Sequence, residues 1–97
     1  MGRRHWISFG AKPKGKLIVD DGAKAALLKG GRSLLLVGIV SFDGHFKADD
    51  VVAVVDSDGR EIARGITNYS ITDLHKIDEK KGKQEVIHCD SLVLGER

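Results

Sequence analysis

The sequence predicts a mainly-β domain of five to seven short strands with two short α-helices, closed or nearly closed into a small barrel. Two observations predict it. Runs of strand-forming residues are separated by turn signals every eight to twelve residues, the spacing of a small all-β barrel. Only two segments carry helical caps and periodicity, and both are barely two turns long. Closure suits such a chain because it removes unpaired strand edges.

The elements follow in order. Lys12-Pro13-Lys14-Gly15 is turn chemistry, and Leu17-Ile18-Val19 reads as a short buried strand. Asp20 or Asp21 then supplies a side-chain acceptor for exposed helix amides. Ala23, Ala26 and Leu27 share one helical face, while Lys24 and Lys29 point away from it. Gly30-Gly31 ends that helix, since glycine adopts the left-handed cap conformation without steric cost. From Ser33 the period changes: Leu34 to Val37 is an apolar run, and Gly38-Ile39-Val40-Ser41-Phe42 continues it as strand broken by one glycine. Asp43-Gly44 reads as a hairpin turn from which His45 and Phe46 return. Val51 to Val55 is the clearest strand, and Asp58-Gly59 turns it into Glu61 to Ile66. Ser70 with Asp73 forms a capping box that opens a helix from about Ile71 to Ile77. Asp78 to Gln84 reads as a charged loop, and Val86-Ile87 with Leu92-Val93-Leu94 as the final strand material.

Ninety-seven residues fit one domain with one small core. The longest apolar run, Leu34 to Val40, is far short of the roughly 20 residues needed to span a bilayer. No membrane partner is therefore expected. The start lacks the apolar run of a secretory signal, and the single Cys89 cannot form an internal disulfide, so the cytoplasm is the expected compartment. The net charge of +2 is unevenly spread: residues 1–16 hold five bases and no acid, and the rest holds 11 bases against 14 acids. The basic arm reads as a solvated linker or, alternatively, as a contact to a phosphate backbone.

Catalytic constellations are not evident. There is no Gly-x-x-x-x-Gly-Lys-[Ser/Thr] phosphate loop. His5, His45, His75 and His88 form no close pair, and one cysteine cannot complete a structural zinc site, so no metal is expected. Cys89 beside His88 invites a thiolate–imidazole reading, but adjacent strand residues face opposite ways. The doublets Asp20-Asp21 and Asp49-Asp50 sit at a helix start and a turn, where aspartate has a structural purpose. Tyr69 and Asn68 either stack on and hydrogen-bond an exposed base or cover the barrel end and order the turn. Arg60, Arg64, Lys24 and Arg32 are further basic candidates whose plainer reading is surface charge.

Leu17-Ile18-Val19-Asp20-Asp21-Gly22-Ala23 with Ser33-Leu34-Leu35 resembles the opening of a PUA domain, the pseudo-barrel module of pseudouridine synthases and archaeosine transglycosylases. Asp58 to Gly65 with Asn68-Tyr69-Ser70, and Glu85-Val86-Ile87-His88 with Asp90 and Leu92-Val93-Leu94, look like the carboxyl-terminal PUA domains of the bacterial glutamate 5-kinase family. Arg4-His5-Trp6-Ile7 resembles that family's linker between kinase and PUA domains. The pattern departs at Cys89, usually arginine, at Ser91, usually asparagine, and at Asp49, usually glycine; the segment after Ile77 is also shortened.

The resemblance implies a linker over 1–16 and a PUA domain over 17–97, separated from an upstream kinase domain behind a Met-Gly start. It implies a non-catalytic fragment without a cofactor. The parent would use ATP and Mg²⁺ to phosphorylate the glutamate side-chain carboxylate in the first step of proline synthesis. Expected partners are the kinase domain, met through Arg4, Trp6 and Phe9, within a homo-oligomeric parent. The implied role is regulation and assembly. RNA is the further partner implied, through the loop at Gly22 and Ala23 and the last strand, with Lys24, Arg32, Arg64, Asn68 and Tyr69 as further candidate contacts from their chemistry; a stand-alone RNA-binding module is the alternative.

Overall fold

A computed structural model describes residues 12–77 and 84–94. In chain order these form β1 (Gly15–Val19), α1 (Asp21–Leu28), β2 (Leu34–Leu35), β3 (Ile39–Gly44), β4 (Val51–Val55), β5 (Glu61–Ile66), α2 (Ile71–Ile77), β6 (Glu85–Ile87) and β7 (Leu92–Leu94). Single 3₁₀ turns at Leu36–Gly38 and Cys89–Ser91 lead into β3 and β7. Five strands make one sheet in the order β3-β1-β4-β5-β7, and β2 pairs with β6 in a second. The seven strands and two α-helices agree with the mainly-β expectation. The charged loop expected over Asp78 to Gln84 lies outside the described residues except for Gln84.

Local chemistry accounts for most elements. Asp20 is the N-cap of α1, with its Oδ1 accepting from the Ala23 amide at 2.7 Å. Gly30, at φ 85°, takes the chain out of the helix after Lys29. α2 has the expected capping box: the Asp73 amide donates to Ser70 Oγ at 3.0 Å, and the Ser70 amide to Asp73 Oδ2 at 3.5 Å. β4 and β5 form the expected hairpin, in which the Asp56 carboxylate accepts from the amides of Asp58 and Arg60 at 3.0 and 2.9 Å. Four of β4's five residues are buried, the mark of a strand covered on both faces.

The hairpin expected at Asp43-Gly44 does not form. β3 pairs antiparallel with β1, and β4 lies on the other side of β1, parallel to it. The chain therefore leaves β3 and passes over β1 before it re-enters the sheet. Gly44 stands opposite Gly15 at φ 105°, and a Cβ on it would meet Gly15 Cα at 2.5 Å. The glycine thus permits a close backbone approach to β1 as well as a bend. The connecting segment is tied down by Asp50 Oδ2, which accepts from the Lys47 amide at 2.9 Å. Asp49 takes a left-handed φ of 78° and is bonded to the Thr67 carbonyl at 2.7 Å. A left-handed backbone favours glycine, and aspartate is among the few other residues that tolerate that region.

The final strand material also divides. β6 pairs with β2, whereas β7 pairs with β5 in the large sheet. His88 and Cys89 consequently lie on a turn, where the rule of opposite strand faces does not apply. The core collects Leu17 and Val19 of β1, Val52 and Val54 of β4, Leu27 of α1, Leu74 of α2, and Val86 and Ile87 of β6. Burying each such aliphatic side chain fully is worth roughly 1.5–3 kcal/mol. No helix among the described residues is long and apolar enough to cross a membrane.

Candidate functional site

An open groove of about 530 Å³ runs between α1, the segment from Gly31 to Leu35, the turn at Val37-Gly38, and Glu85 at the start of β6. Its position follows from the short second sheet. β2 is only two residues long, so α1 is left partly uncovered, with Ala23 and Ala26 half-buried above Leu27. Gly38 brings the chain against the helix: a Cβ there would lie 2.7 Å from Ala23 Cβ. The wall is apolar, with Val37 55% exposed, and its polar groups are Asp20, Arg32, Ser33 and Glu85. A cleft with an apolar surface and a few polar groups at its rim suits a ligand with a flat apolar body and polar edges.

Three of the expected contact residues, Gly22, Ala23 and Arg32, line this groove together. Asn68 stands behind its edge, where Nδ2 donates to the Glu85 carbonyl at 3.1 Å and the Asn68 amide to the Val86 carbonyl at 2.7 Å. These bonds fasten the turn after β5 to β6, as the turn-ordering reading of Asn68 requires. Tyr69 packs partly buried against the core, and its amide and carbonyl are both bonded to Thr67 Oγ1, at 3.2 and 2.9 Å.

Lys24 turns from the groove to Asp56, with Nζ 2.8 Å from Oδ2. Asp56 is 3% exposed. The Lys24 hydrogen bond, followed by the backbone bond from Arg60, holds the Asp56 carboxyl down to about 2, and the same pairing raises Lys24. The ion pair joins α1 to the β4–β5 turn, so Lys24 is no plain solvated charge. Arg64 donates to the Glu61 carboxylate three residues back, which raises the guanidinium further. Arg64 also lies away from the groove lining, on β5. Arg32 alone of these cations is an exposed rim residue of the groove. Arg4, Trp6 and Phe9 lie outside the described residues.

Sequence reasoning missed Val37, Gly38 and Glu85 as groove residues. Gly38 had given a signal, as a glycine interrupting an apolar run; such a residue marks a close backbone approach. Glu85 gave none, because its place depends on β6 pairing with β2.

Comparison with known proteins agrees with the fold. Residues 15–89 match the PUA domain family model. Glutamate 5-kinase of Dictyoglomus turgidum is 48% identical over 106 residues, which cover 98% of this chain and 29% of that protein. Glutamate 5-kinase of Nostoc sp. is 44% identical over 103 residues, 95% of this chain and 27% of the relative. The chain thus spans less than a third of these relatives, in their carboxyl-terminal part, and most of their length has no counterpart in these 97 residues. Among solved structures, a PUA domain from Aeropyrum pernix in a tartrate complex superposes with a TM-score of 0.72 at 30% identity, over 78% of this chain and 41% of that one. A chain of the archaeal box H/ACA sRNP Nop10–Cbf5 complex gives 0.63 at 27% identity, over 77% of this chain and 23% of that one. Strand order, groove and family match together lead to one assignment: the chain belongs to the PUA domain family.

Proposed function

We propose that this chain is the non-catalytic accessory domain of a cytoplasmic glutamate 5-kinase, acting on regulation and assembly by packing against the kinase domain. The observation that carries the reading is the 48% identity running over nearly the whole chain to one segment of a glutamate 5-kinase. In this reading ATP, Mg²⁺ and glutamate all bind to the kinase domain. Residues 1–16 connect the two domains, with Arg4, Trp6 and Phe9 at the junction. This domain changes how readily proline inhibits the enzyme and how its subunits assemble. The test is the complete enzyme with and without this domain, compared by the proline concentration for half-inhibition and by mass in light scattering. Unchanged values of both would refute the reading.

A second reading, in which the domain binds RNA, is favoured by one observation: Gly22, Ala23 and Arg32 converge on an open groove. An apolar wall would take an unstacked base and Arg32 a phosphate, since single-stranded RNA is read largely by stacking and polar edges. Phosphate contact makes binding fall steeply with salt. A structured RNA should bind at low ionic strength, bind less at high ionic strength, and bind less to Arg32→Ala. Absence of binding at low salt would set this reading aside.

A further inference from the structure

The Cys89–Ser91 turn brings together three chemically different metal-ligand side chains, His88, Cys89 and Asp90, the first two of which the strand reading had kept apart. His88 caps the turn, and its Nδ1 accepts from the Asp90 amide at 3.1 Å. Nδ1 thus faces into the turn, within reach of the other two groups. Cys89 Sγ lies 4.0 Å from His88 Nδ1 and 4.0 Å from Asp90 Oδ1. Asp90 Oδ2 is 3.8 Å from Nδ1. The turn is anchored from a neighbouring segment, because the Cys89 amide donates to Ser33 Oγ at 3.1 Å. Within the turn itself, the Ser91 amide donates to the His88 carbonyl at 2.8 Å.

We propose that His88, Cys89 and Asp90 form a surface binding site for a divalent ion of the zinc class. Tetrahedral zinc, with metal–sulfur bonds near 2.3 Å and metal–nitrogen or metal–oxygen bonds near 2.1 Å, sets its ligands roughly 3.4–3.6 Å apart. The Sγ–Nδ1 distance is 4.0 Å, and with one Asp90 oxygen taken for the set all three donor atoms lie within 4.8 Å of one another, so binding must draw them together by up to about 1.4 Å. Side-chain rotation can close the difference, since the His88 side chain is 48% exposed and that of Asp90 78%. Thiolate, imidazole and carboxylate together suit zinc or cobalt; magnesium and calcium prefer oxygen ligands throughout. The Cys89 thiol gives its proton to solvent as the ion binds, and the thiolate and carboxylate then match the double positive charge. Nδ1 passes its lone pair from the Asp90 amide to the metal, and that amide turns to water. Three protein ligands leave a fourth position for water or for a group brought by a partner.

The test is titration of the whole chain with Co²⁺ and with Zn²⁺. Co²⁺ should bind one to one with a thiolate-to-cobalt charge-transfer absorption, and Zn²⁺ should abolish that absorption. Cys89→Ser should lose the band. His88→Ala and Asp90→Asn should each weaken Zn²⁺, in competition with a chromophoric chelator, by at least the roughly tenfold that even loss of an outer-shell partner costs. Circular dichroism should show all three variants folded, as expected for changes on a partly exposed turn. Absence of the thiolate band in the unmodified chain up to millimolar Co²⁺ would overturn the proposal without recourse to any variant. So would wild-type Zn²⁺ affinity in both His88→Ala and Asp90→Asn, which would leave a thiol binding metal alone.

Discussion

Gly65 is where the β5 strand and the Glu85 to Leu94 stretch meet most tightly, and Gly65→Ala tests that contact. The residue pairs with Val52 on one side and Leu92 on the other. Its φ lies outside the left-handed region, so alanine is conformationally acceptable. By unfolded-state entropy alone, the substitution should stabilise by roughly 0.4–1 kcal/mol. Space decides otherwise. The new Cβ would lie 2.6 Å from Ile87 Cγ2, 3.1 Å from Ile87 Cδ1 and 2.9 Å from the Ser91 carbonyl oxygen. Ile87 is fully buried and cannot swing into solvent, and the Ser91 carbonyl belongs to the backbone of the turn into β7. Overpacking of this kind costs roughly 1–3 kcal/mol. The net effect expected is a loss of about 1–2 kcal/mol, or roughly 4–16 °C in Tm for a domain of this size.

Thermal and urea unfolding followed by circular dichroism measure this directly. A double-mutant cycle with Ile87→Ala, which removes both clashing methyl carbons, sharpens it. The pair should be less destabilised than the sum of the single variants by about 1 kcal/mol, the coupling typical of residues in contact. A Gly65→Ala variant as stable as the parent, or an additive pair, would refute this account of the packing.

Other substitutions probe other parts of the fold. Leu17→Ala removes a fully buried side chain from the interior strand β1 and should cost roughly 2–5 kcal/mol in urea unfolding, with an unchanged m-value. Asp20→Ala deletes the α1 N-cap beside the groove and should cost about 0.5–2 kcal/mol, whereas Asp20→Asn or Asp20→Ser should recover most of it. Asp56 predicts a pH dependence. Its carboxyl lies at about 2 in the fold against 3.8 when unperturbed, so the unfolded chain takes up the proton first on acidification. Its contribution is therefore complete above the unperturbed value and is lost as pH falls through 3.8 towards about 2. Tm measured across that window should fall more steeply for the parent than for Asp56→Asn, and parallel curves would count against the Lys24–Asp56 pair.

What could be read in the chain by itself was whatever depends on neighbours within a few residues. An N-cap at Asp20 or Asp21, an exit at Gly30-Gly31, the Ser70–Asp73 capping box and the Asp58-Gly59 hairpin are such features; each forms, and the structure chooses Asp20 as the cap. The same locality made the PUA resemblance legible, because these signals recur in order along one family's sequence. Tertiary structure alone decided how distant segments pair. It set β1 between β3 and β4, which cancelled the Asp43-Gly44 hairpin. It also divided Glu85 to Leu94 between two sheets, which put Glu85 on the groove and gathered His88, Cys89 and Asp90 on one turn. The physical reason is that a strand's hydrogen-bonding groups accept any complementary edge; which edge is chosen depends on the whole core being buried together.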